Sequence, residues 1–292
     1  MFNENANKLR KLMAEKELVI GVGARDALDA KLVENAGFDF VWSSSLGVSA
    51  SYAIPDASLI SMKQYIEAAR SMAEVIDIPI IIDADTGYGN ANNVMYAVKQ
   101  FEAAGLAAMS MEDKKFPKDN SLLAGGRQEL ARIEEFCGKI KAAKDTQKSE
   151  DFIVIARVEA LIAGWGQQEA IKRATAYVDA GADSILMHSK SKTPDEIVEF
   201  VKAWDGRTPI TLVPTMYPDL TEEKIRELGK VKIVIYANHT FRAAVKASEE
   251  ILQEIKRAKG IHTINDMMVP VARLFELQGV PQMKENEKKY LL

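Results

Sequence analysis

The sequence has only one cysteine, Cys137, in 292 residues. A single cysteine excludes an intrachain disulfide and fits a reducing compartment. No apolar run approaches the roughly 18 residues needed to cross a bilayer. The first eight residues also lack the apolar centre of a signal peptide. We therefore expect a cytoplasmic protein that makes no contact with a membrane.

An excess of positive charge is also missing. Lysine and arginine number 38 against 42 acidic residues, which leaves a net charge of −4. This balance argues against a nucleic-acid-binding surface but is compatible with a local basic pocket for a small anion. Hydrophobic residues make up 47% and charged residues 27%, as in ordinary globular proteins. A chain of this length can form one α/β barrel without disulfides or a structural metal.

Eight short apolar runs alternate with segments of helical spacing. The predicted strands lie near residues 18–22, 38–43, 78–82, 106–111, 152–157, 184–188, 209–213 and 231–236. The main predicted helices lie near residues 24–36, 61–76, 92–104, 127–144, 167–180, 194–204 and 241–258. Strict alternation indicates right-handed βαβ units and a parallel sheet, and eight units predict a (β/α)8 TIM-type barrel.

The barrel is expected to be one domain over residues 1–292, with residues 259–292 as a C-terminal helical extension. Within it, residues 264–277 have helical spacing. This segment could cap the barrel or pack on a neighbouring subunit.

Two aspartates follow the third predicted strand. Three isoleucines lead directly into Asp83 and Asp85, and a glycine-containing turn comes next. Residues two apart in a regular strand point the same way, so their carboxylates would converge and repel. A hard divalent cation such as Mg²⁺ would relieve this repulsion. The alternative is that both aspartates cap helices or form turns.

Other strands also end in polar side chains, and the carboxyl ends of barrel strands carry the chemistry of this fold. Ser44 and Ser45 follow the second strand and suit the oxygens of a small anion, unless they form a simple polar turn. Glu112 ends the fourth strand and adds a third acid. Arg157 ends the fifth and could bind a phosphoryl group or a carboxylate. His188 ends the sixth, where a structural role is the alternative.

A long charged loop, residues 112–127, follows the fourth strand. It contains Pro117 and ends in two glycines, Gly125 and Gly126. Its place directly after a site acid favours a lid that closes and excludes water. The alternative is a solvated surface loop.

Five motifs at these strand ends resemble the phosphoenolpyruvate mutase family, within the isocitrate lyase and phosphoenolpyruvate mutase superfamily. They are Trp-Ser-x-x-Leu, Asp-Ala-Asp-Thr-Gly-Tyr-Gly-Asn, Glu-Asp-Lys-x-Phe-Pro-Lys-x-Asn-Ser-Leu, Ala-Arg-Val-Glu-Ala-x-Ile-Ala-Gly-Trp-Gly and Leu-Met-His-Ser-Lys. The similarity covers roughly residues 5 to 290. The second motif marks only the superfamily, and the third, in the lid, is the specific one.

The resemblance implies an isomerase that interconverts phosphoenolpyruvate and phosphonopyruvate with Mg²⁺, the entry step to phosphonate biosynthesis. A dissociative phosphoryl transfer of this kind depends on positioning and electrostatics. The implied metal residues are Asp83, as a direct ligand, with Asp85 and Glu112 in its water shell. The implied substrate-binding residues are Trp42, Ser44, Ser45, Leu46, Asn120, Ser121, Leu122, Arg157 and His188. The implied catalytic residues are Asp56, Lys118, Asn120, Arg157 and His188. The family also implies a homotetramer, a dimer of dimers with the last barrel helix swapped between subunits.

Three other functions stay open. A phosphonopyruvate hydrolase would share most of the site, but its pattern carries threonine where this chain has Asn120. A carbon–carbon lyase would carry a catalytic cysteine after the fourth strand, whereas Cys137 lies in a predicted helix and is expected to be a buried structural thiol. A non-catalytic barrel would not need these residues. One departure from the mutase pattern is Ser45, where glycine is expected, and the added side chain narrows the pocket.

Overall fold

The computed structural model describes residues 3–291. Eight parallel strands form a closed barrel in chain order, and β1 pairs with both β2 and β8. The strands are β1 Val19–Ala24, β2 Phe40–Ser43, β3 Ile80–Asp83, β4 Ala108–Glu112, β5 Ile153–Val158, β6 Ser184–Met187, β7 Ile210–Leu212 and β8 Val231–Tyr236. Each overlaps a predicted strand, so the predicted (β/α)8 barrel is confirmed.

Twelve α-helices accompany these strands in the described residues. They are α1 Glu4–Glu15, α2 Ala27–Asn35, α3 Ser45–Ser51, α4 Met62–Ala73, α5 Ala91–Ala103, α6 Ile133–Thr146, α7 Gly166–Asp179, α8 Asp195–Ala203, α9 Glu222–Glu227, α10 His239–Ala258, α11 Val271–Leu277 and α12 Val280–Tyr290. The sequence patterns did not predict α1, α3 or α9, whereas α12 lies in the predicted helical extension 259–292. None of the helices within residues 3–291 is both long and apolar enough to cross a bilayer.

Two predicted helices differ from the structure. Helix α6 begins at Ile133 and not at 127, because the preceding residues return alongside the start of the lid. There Lys115 donates its backbone N–H to Glu129, and Ala131 donates to Asp113. The predicted helix at 264–277 is divided into a 3₁₀ turn and α11. The break falls at Pro270, because proline lacks the N–H that would continue a helix from the preceding turn.

The strand side chains form two apolar layers. Those pointing into the barrel include Val19, Phe40 and Ile153, and Leu9 of α1 packs with them. Leu9 is fully buried, which is worth about 1.5–3 kcal/mol for a side chain of this size. Helix α1 therefore adds apolar packing to the inside of the barrel, while the polar side chains described below follow the carboxyl ends of the strands.

The chain separates into two compact units between His239 and Thr240. The first contains the eight strands and α1 to α9. The second contains most of α10 together with α11 and α12. The expectation of a single domain with an extension from residue 259, and that of a helix swapped between subunits, stay predictions.

Candidate active site

A cavity of about 50 Å³ lies at the carboxyl ends of the strands. Twelve of the residues predicted from the sequence line it: Trp42, Ser44, Ser45, Leu46, Asp56, Asp83, Lys118, Asn120, Ser121, Leu122, Arg157 and His188. The two remaining predicted residues, Asp85 and Glu112, lie directly behind it, each with a carboxylate oxygen within 3.6 Å of the Lys118 ammonium. The fold therefore brings the whole predicted set together.

Asp83 and Asp85 both reach the site, but the geometry of a regular strand does not bring them together. Strand β3 ends at Asp83, and Asp85 lies in a turn with φ of 49°, in the left-handed region. The argument from residues two apart in a regular strand was therefore wrong, although both carboxylates are buried at the site. Asp83 accepts a hydrogen bond from Ser45 Oγ at 2.8 Å and one from the Asp85 backbone N–H at 3.2 Å. Burial raises the pKa of Asp83, against the lowering effect of Lys118 and Arg157.

Lys118 comes from the lid and places its ammonium among the acids. Its Nζ lies 2.6 Å from Asp85 Oδ1, 3.3 Å from Asp56 Oδ1 and 3.6 Å from Glu112 Oε1. Burial alone would lower the pKa of Lys118, but the surrounding carboxylates hold it well above its usual value. Burial raises the pKa of Asp85 to about 7, although Lys118 opposes this. Lys118 therefore carries the positive charge that this acidic cluster requires.

The acids also suit a divalent cation. Both carboxylate oxygens of Glu112 are buried and accept no hydrogen bond, so they are available to metal-bound water. Within residues 3–291, no three acidic, histidine or cysteine side chains converge closely enough to form a complete ligand set. Mg²⁺ keeps several waters and needs only one or two direct carboxylates. The residues present therefore fit Mg²⁺ held by Asp83, with the other acids acting through water.

Arg157, on β5, is oriented by three neighbours. Its Nε donates to Glu159 Oε1 at 2.5 Å and its Nη2 donates to Ser121 Oγ at 2.8 Å. Nη2 also lies 3.4 Å from Glu112 Oε2. Burial works against the charge, yet Glu159 and Glu112 raise the pKa of Arg157 further above its usual value. A guanidinium held in this way presents a fixed positive charge to an anion in the cavity.

His188 follows β6 and is buried beside this arginine. Its Nδ1 accepts or donates no hydrogen bond within the described residues. Burial, together with the nearby charge of Arg157, lowers the pKa of His188 to about 4. The imidazole is therefore neutral near pH 7 and faces the cavity as a polar, uncharged group.

The lid closes over the cavity through Asn120. Its Nδ2 donates to Asp56 Oδ2 at 2.6 Å, and its Oδ1 accepts the backbone N–H of Leu122 at 2.9 Å. Burial raises the pKa of Asp56, but Lys118 and Asn120 outweigh it and lower that pKa overall. The loop therefore covers the cavity as a lid. The alternative, a solvated surface loop, is wrong at Lys118, which is only 4% exposed.

A family model described as Phosphoenolpyruvate phosphomutase matches residues 9–256. The chain belongs to the phosphoenolpyruvate phosphomutase family. The relatives named phosphoenolpyruvate phosphomutase are isomerases, and the predicted family membership is confirmed.

Individual relatives differ in the activity for which they are named. The chain is 53% identical over 283 residues to phosphonopyruvate hydrolase of Variovorax sp. (strain Pal2), covering 97% of this chain and 98% of that one. It is 46% identical over 284 residues to phosphoenolpyruvate phosphomutase of Tetrahymena pyriformis, covering 97% and 94%. A crystal structure of phosphonopyruvate hydrolase in complex with oxalate and Mg²⁺ superimposes with a TM-score of 0.93 at 51% identity, covering the whole of both chains.

Sequence reasoning missed several residues that support the site of this phosphomutase family member. Glu159 binds Arg157, and its position two residues later, directly after the same strand, could have indicated this. Lys114 and Lys139 were not singled out, because their partners lie far away in sequence or on the lid. Two residues after the last strands, Thr215 and Asn238, also line the cavity.

Ser44 and Cys137 have structural roles, but the prediction that the Cys137 thiol is buried was wrong. Ser44 caps α3, since its Oγ accepts the backbone N–H of Gly47 at 3.2 Å. Cys137 lies on α6, where it is only partly buried, and burial raises its thiol pKa. Its Sγ donates to the Ala176 carbonyl at 3.4 Å. Neither its position nor its thiol suits the catalytic cysteine of a lyase.

Proposed function

We propose that this protein is a phosphoenolpyruvate mutase, which interconverts phosphoenolpyruvate and phosphonopyruvate. The observation that carries the proposal is the position of Asn120 on the closed lid. Its amide is fixed between Asp56 and the Leu122 backbone and lines the same cavity as Arg157. An amide in this place can bind a phosphoryl group and keep it from water, and it is the residue that the mutase pattern requires.

The bond changes of the mutase reaction need neither water nor a net proton. The carbon–phosphorus bond at C3 of phosphonopyruvate breaks, and a bond forms between the same phosphorus and the enolate oxygen at C2. A proton delivered to C3 in between would give pyruvate instead. Lys118 holds its proton strongly, since carboxylates raise its pKa despite burial, and His188 is neutral near pH 7. These two groups are therefore weak proton donors to C3.

Different residues of the chain would bind the phosphoryl group, the pyruvyl group and the metal ion. Arg157 and His188 would bind the phosphoryl group, with Asn120 above it. Ser45 and Leu46, beside the Trp42 ring, would contact the pyruvyl end of the substrate. Asp83 would hold Mg²⁺ directly, with Asp85 and Glu112 in its water shell. Bound Mg²⁺ supplies Lewis-acid stabilisation of negative charge on the pyruvyl oxygens.

Phosphonopyruvate hydrolysis is the second candidate. The 53% identity to the Variovorax hydrolase favours it. Residues that only pack the barrel contribute to the overall sequence identity as much as residues of the site do. We therefore give more weight to Asn120, which lies on the lid. A carbon–carbon lyase is the weakest candidate, because residues 114–118 read Lys-Lys-Phe-Pro-Lys without a cysteine.

Phosphorus NMR of one incubation tests the proposal. With Mg²⁺ and phosphonopyruvate, the protein should convert the phosphonate signal into that of phosphoenolpyruvate. Inorganic phosphate and pyruvate as the primary products would show a hydrolase instead. An Asp83→Ala variant should form neither product while keeping the circular dichroism spectrum of the wild type, since it lacks the proposed direct metal ligand.

We further infer that the enzyme acts in the cytoplasm as a homotetramer, as the family resemblance implies. The substrate is a small anion, and the net charge of −4 gives no reason to expect a nucleic-acid partner.

A further inference from the structure

We propose that Ser121 and Lys114 form a latch that couples closure of the lid to the orientation of Arg157. Ser121 is then a positioning residue, and its hydroxyl is not a substrate ligand as the family resemblance implied. The proposal rests on the proposed function only in assigning Arg157 to the phosphoryl group.

The Ser121 hydroxyl has no remaining hydrogen-bonding capacity. It donates to Glu159 Oε2 at 2.6 Å and accepts from Lys114 Nζ at 2.7 Å and from Arg157 Nη2 at 2.8 Å. A hydroxyl offers one donor and two acceptor sites, so these three bonds use all of them. A substrate oxygen could bind the hydroxyl only by displacing a charged partner from a buried site.

The Lys114 ammonium also has no remaining hydrogen-bonding capacity. Its side chain is 1% exposed, although the residue is a lysine. Its Nζ donates to the Asp119 carbonyl at 2.9 Å and to Ser121, and it lies 3.3 Å from Glu159 Oε2. An ammonium has three N–H groups, and the two lid contacts and the ion pair account for them. Two of these three partners, Asp119 and Ser121, belong to the lid, so burial of this charge becomes less favourable when they move away.

The two residues connect the lid to the anion site. Glu159 binds Arg157 through one carboxylate oxygen and the latch through the other. When the lid opens, Ser121 leaves, and both Arg157 Nη2 and Lys114 lose a partner. Closure therefore completes the set of contacts that hold the guanidinium in one orientation. Because hydrogen bonds to buried charged groups are among the stronger ones, the lid and Arg157 stabilise each other.

The test compares variants of the latch with a matched control on the same loop. Ser121→Ala removes the hydroxyl, Ser121→Thr restores it, and Lys114→Met removes the ammonium at similar volume. Lys115→Met is the control, because Lys115 also ties the lid to its return segment, through Glu129 at 2.9 Å, but is exposed. Two quantities are measured: kcat and KM for consumption of phosphonopyruvate, and the rate at which an arginine-specific protease cleaves after Arg127, with and without oxalate and Mg²⁺.

Ser121→Ala and Lys114→Met should each lower kcat/KM by roughly tenfold to a hundredfold, as expected for a lost bond to a buried charge. In both, oxalate and Mg²⁺ should no longer slow cleavage after Arg127. The double variant should lose little more than either single one, since one latch is removed in each case. Ser121→Thr should recover both properties, and Lys115→Met should match the wild type.

Two results would overturn the latch. If Ser121→Ala lost turnover but kept protection by oxalate and Mg²⁺, the hydroxyl would serve the substrate directly. If it kept wild-type values of both, the hydroxyl would have no role. A wild type that did not consume phosphonopyruvate would instead contradict the proposed function, while the cleavage rates would still test the latch.

Discussion

At the residue scale, the site is a balance of buried charges. Lys118 compensates Asp85, Asp56 and Glu112, while Glu159 compensates Arg157. An ion pair buried in this way contributes little net stability, but removing one partner leaves the other uncompensated and costly. We therefore infer that these ion pairs fix the positions of the charged groups that would bind an anionic substrate and a cation.

His188 should make stability depend on pH. The unfolded imidazole takes up a proton near pH 6.5, whereas burial and Arg157 keep the folded one neutral down to about pH 4. The unfolded state therefore binds more protons in this window, so stability falls as pH falls from 6.5 towards 4. The full effect is about 3 kcal/mol. Urea unfolding at several pH values should show a shallower loss for His188→Gln than for the wild type.

An equal slope for His188→Gln and the wild type would mean that His188 does not contribute to acid destabilisation.

At the element scale, the helix after the lid supports the loop after β3. Lys139 of α6 is 2% exposed and donates to the Thr86 carbonyl at 3.0 Å. Thr86 directly follows Asp85, whose left-handed backbone is unfavourable for a residue with a side chain. A fixed carbonyl next to this residue helps to hold the turn. The helix thereby acts on the acids without touching them.

Lys139→Met should weaken Mg²⁺ binding by roughly tenfold or more, the size of effect seen when support of a metal ligand is removed. Titration calorimetry with Mg²⁺ and oxalate measures this without turnover. Lys144→Met is the matched control on the same helix, because Lys144 pairs with Asp183 at 2.9 Å, away from the turn. Unchanged Mg²⁺ affinity in Lys139→Met would exclude a role for α6 in shaping the metal site.

At the scale of the whole molecule, the second unit carries apolar side chains that are not covered. Val271 and Phe275 of α11 are 63% and 49% exposed. Exposed apolar residues gathered on one short helix are typical of a surface that contacts another chain. This agrees with the homotetramer that the family resemblance implies, in which the C-terminal segment would pack on a neighbouring subunit.

Light scattering after gel filtration should give the mass of four chains. Val271→Glu combined with Phe275→Glu should reduce this mass, because charges would replace the apolar contact. The control is Arg273→Glu on the same helix, which changes charge without removing apolar surface and should stay tetrameric. A wild type that elutes with the mass of one chain at micromolar concentration would contradict the assembly.

The architecture of the barrel and the membership of its site could be predicted from the sequence alone. Alternating apolar runs and helical segments determine a parallel barrel, and polar residues after its strands must meet at one end. Asp83, Glu112, Arg157 and His188 were found in this way. Local signals were also enough to expect a lid, since its charged loop follows a site acid directly.

Which of these groups are in contact depends on how the chain folds in three dimensions. Lys118 meets Asp56, Ser121 meets Glu159 and Lys139 meets Thr86 across tens of residues. Such pairs depend on strand register, on the turn that takes Asp85 out of the strand, and on the closed position of the lid. No periodicity in the sequence encodes these contacts. A buried charge is stable only where the folded chain places an opposite charge next to it.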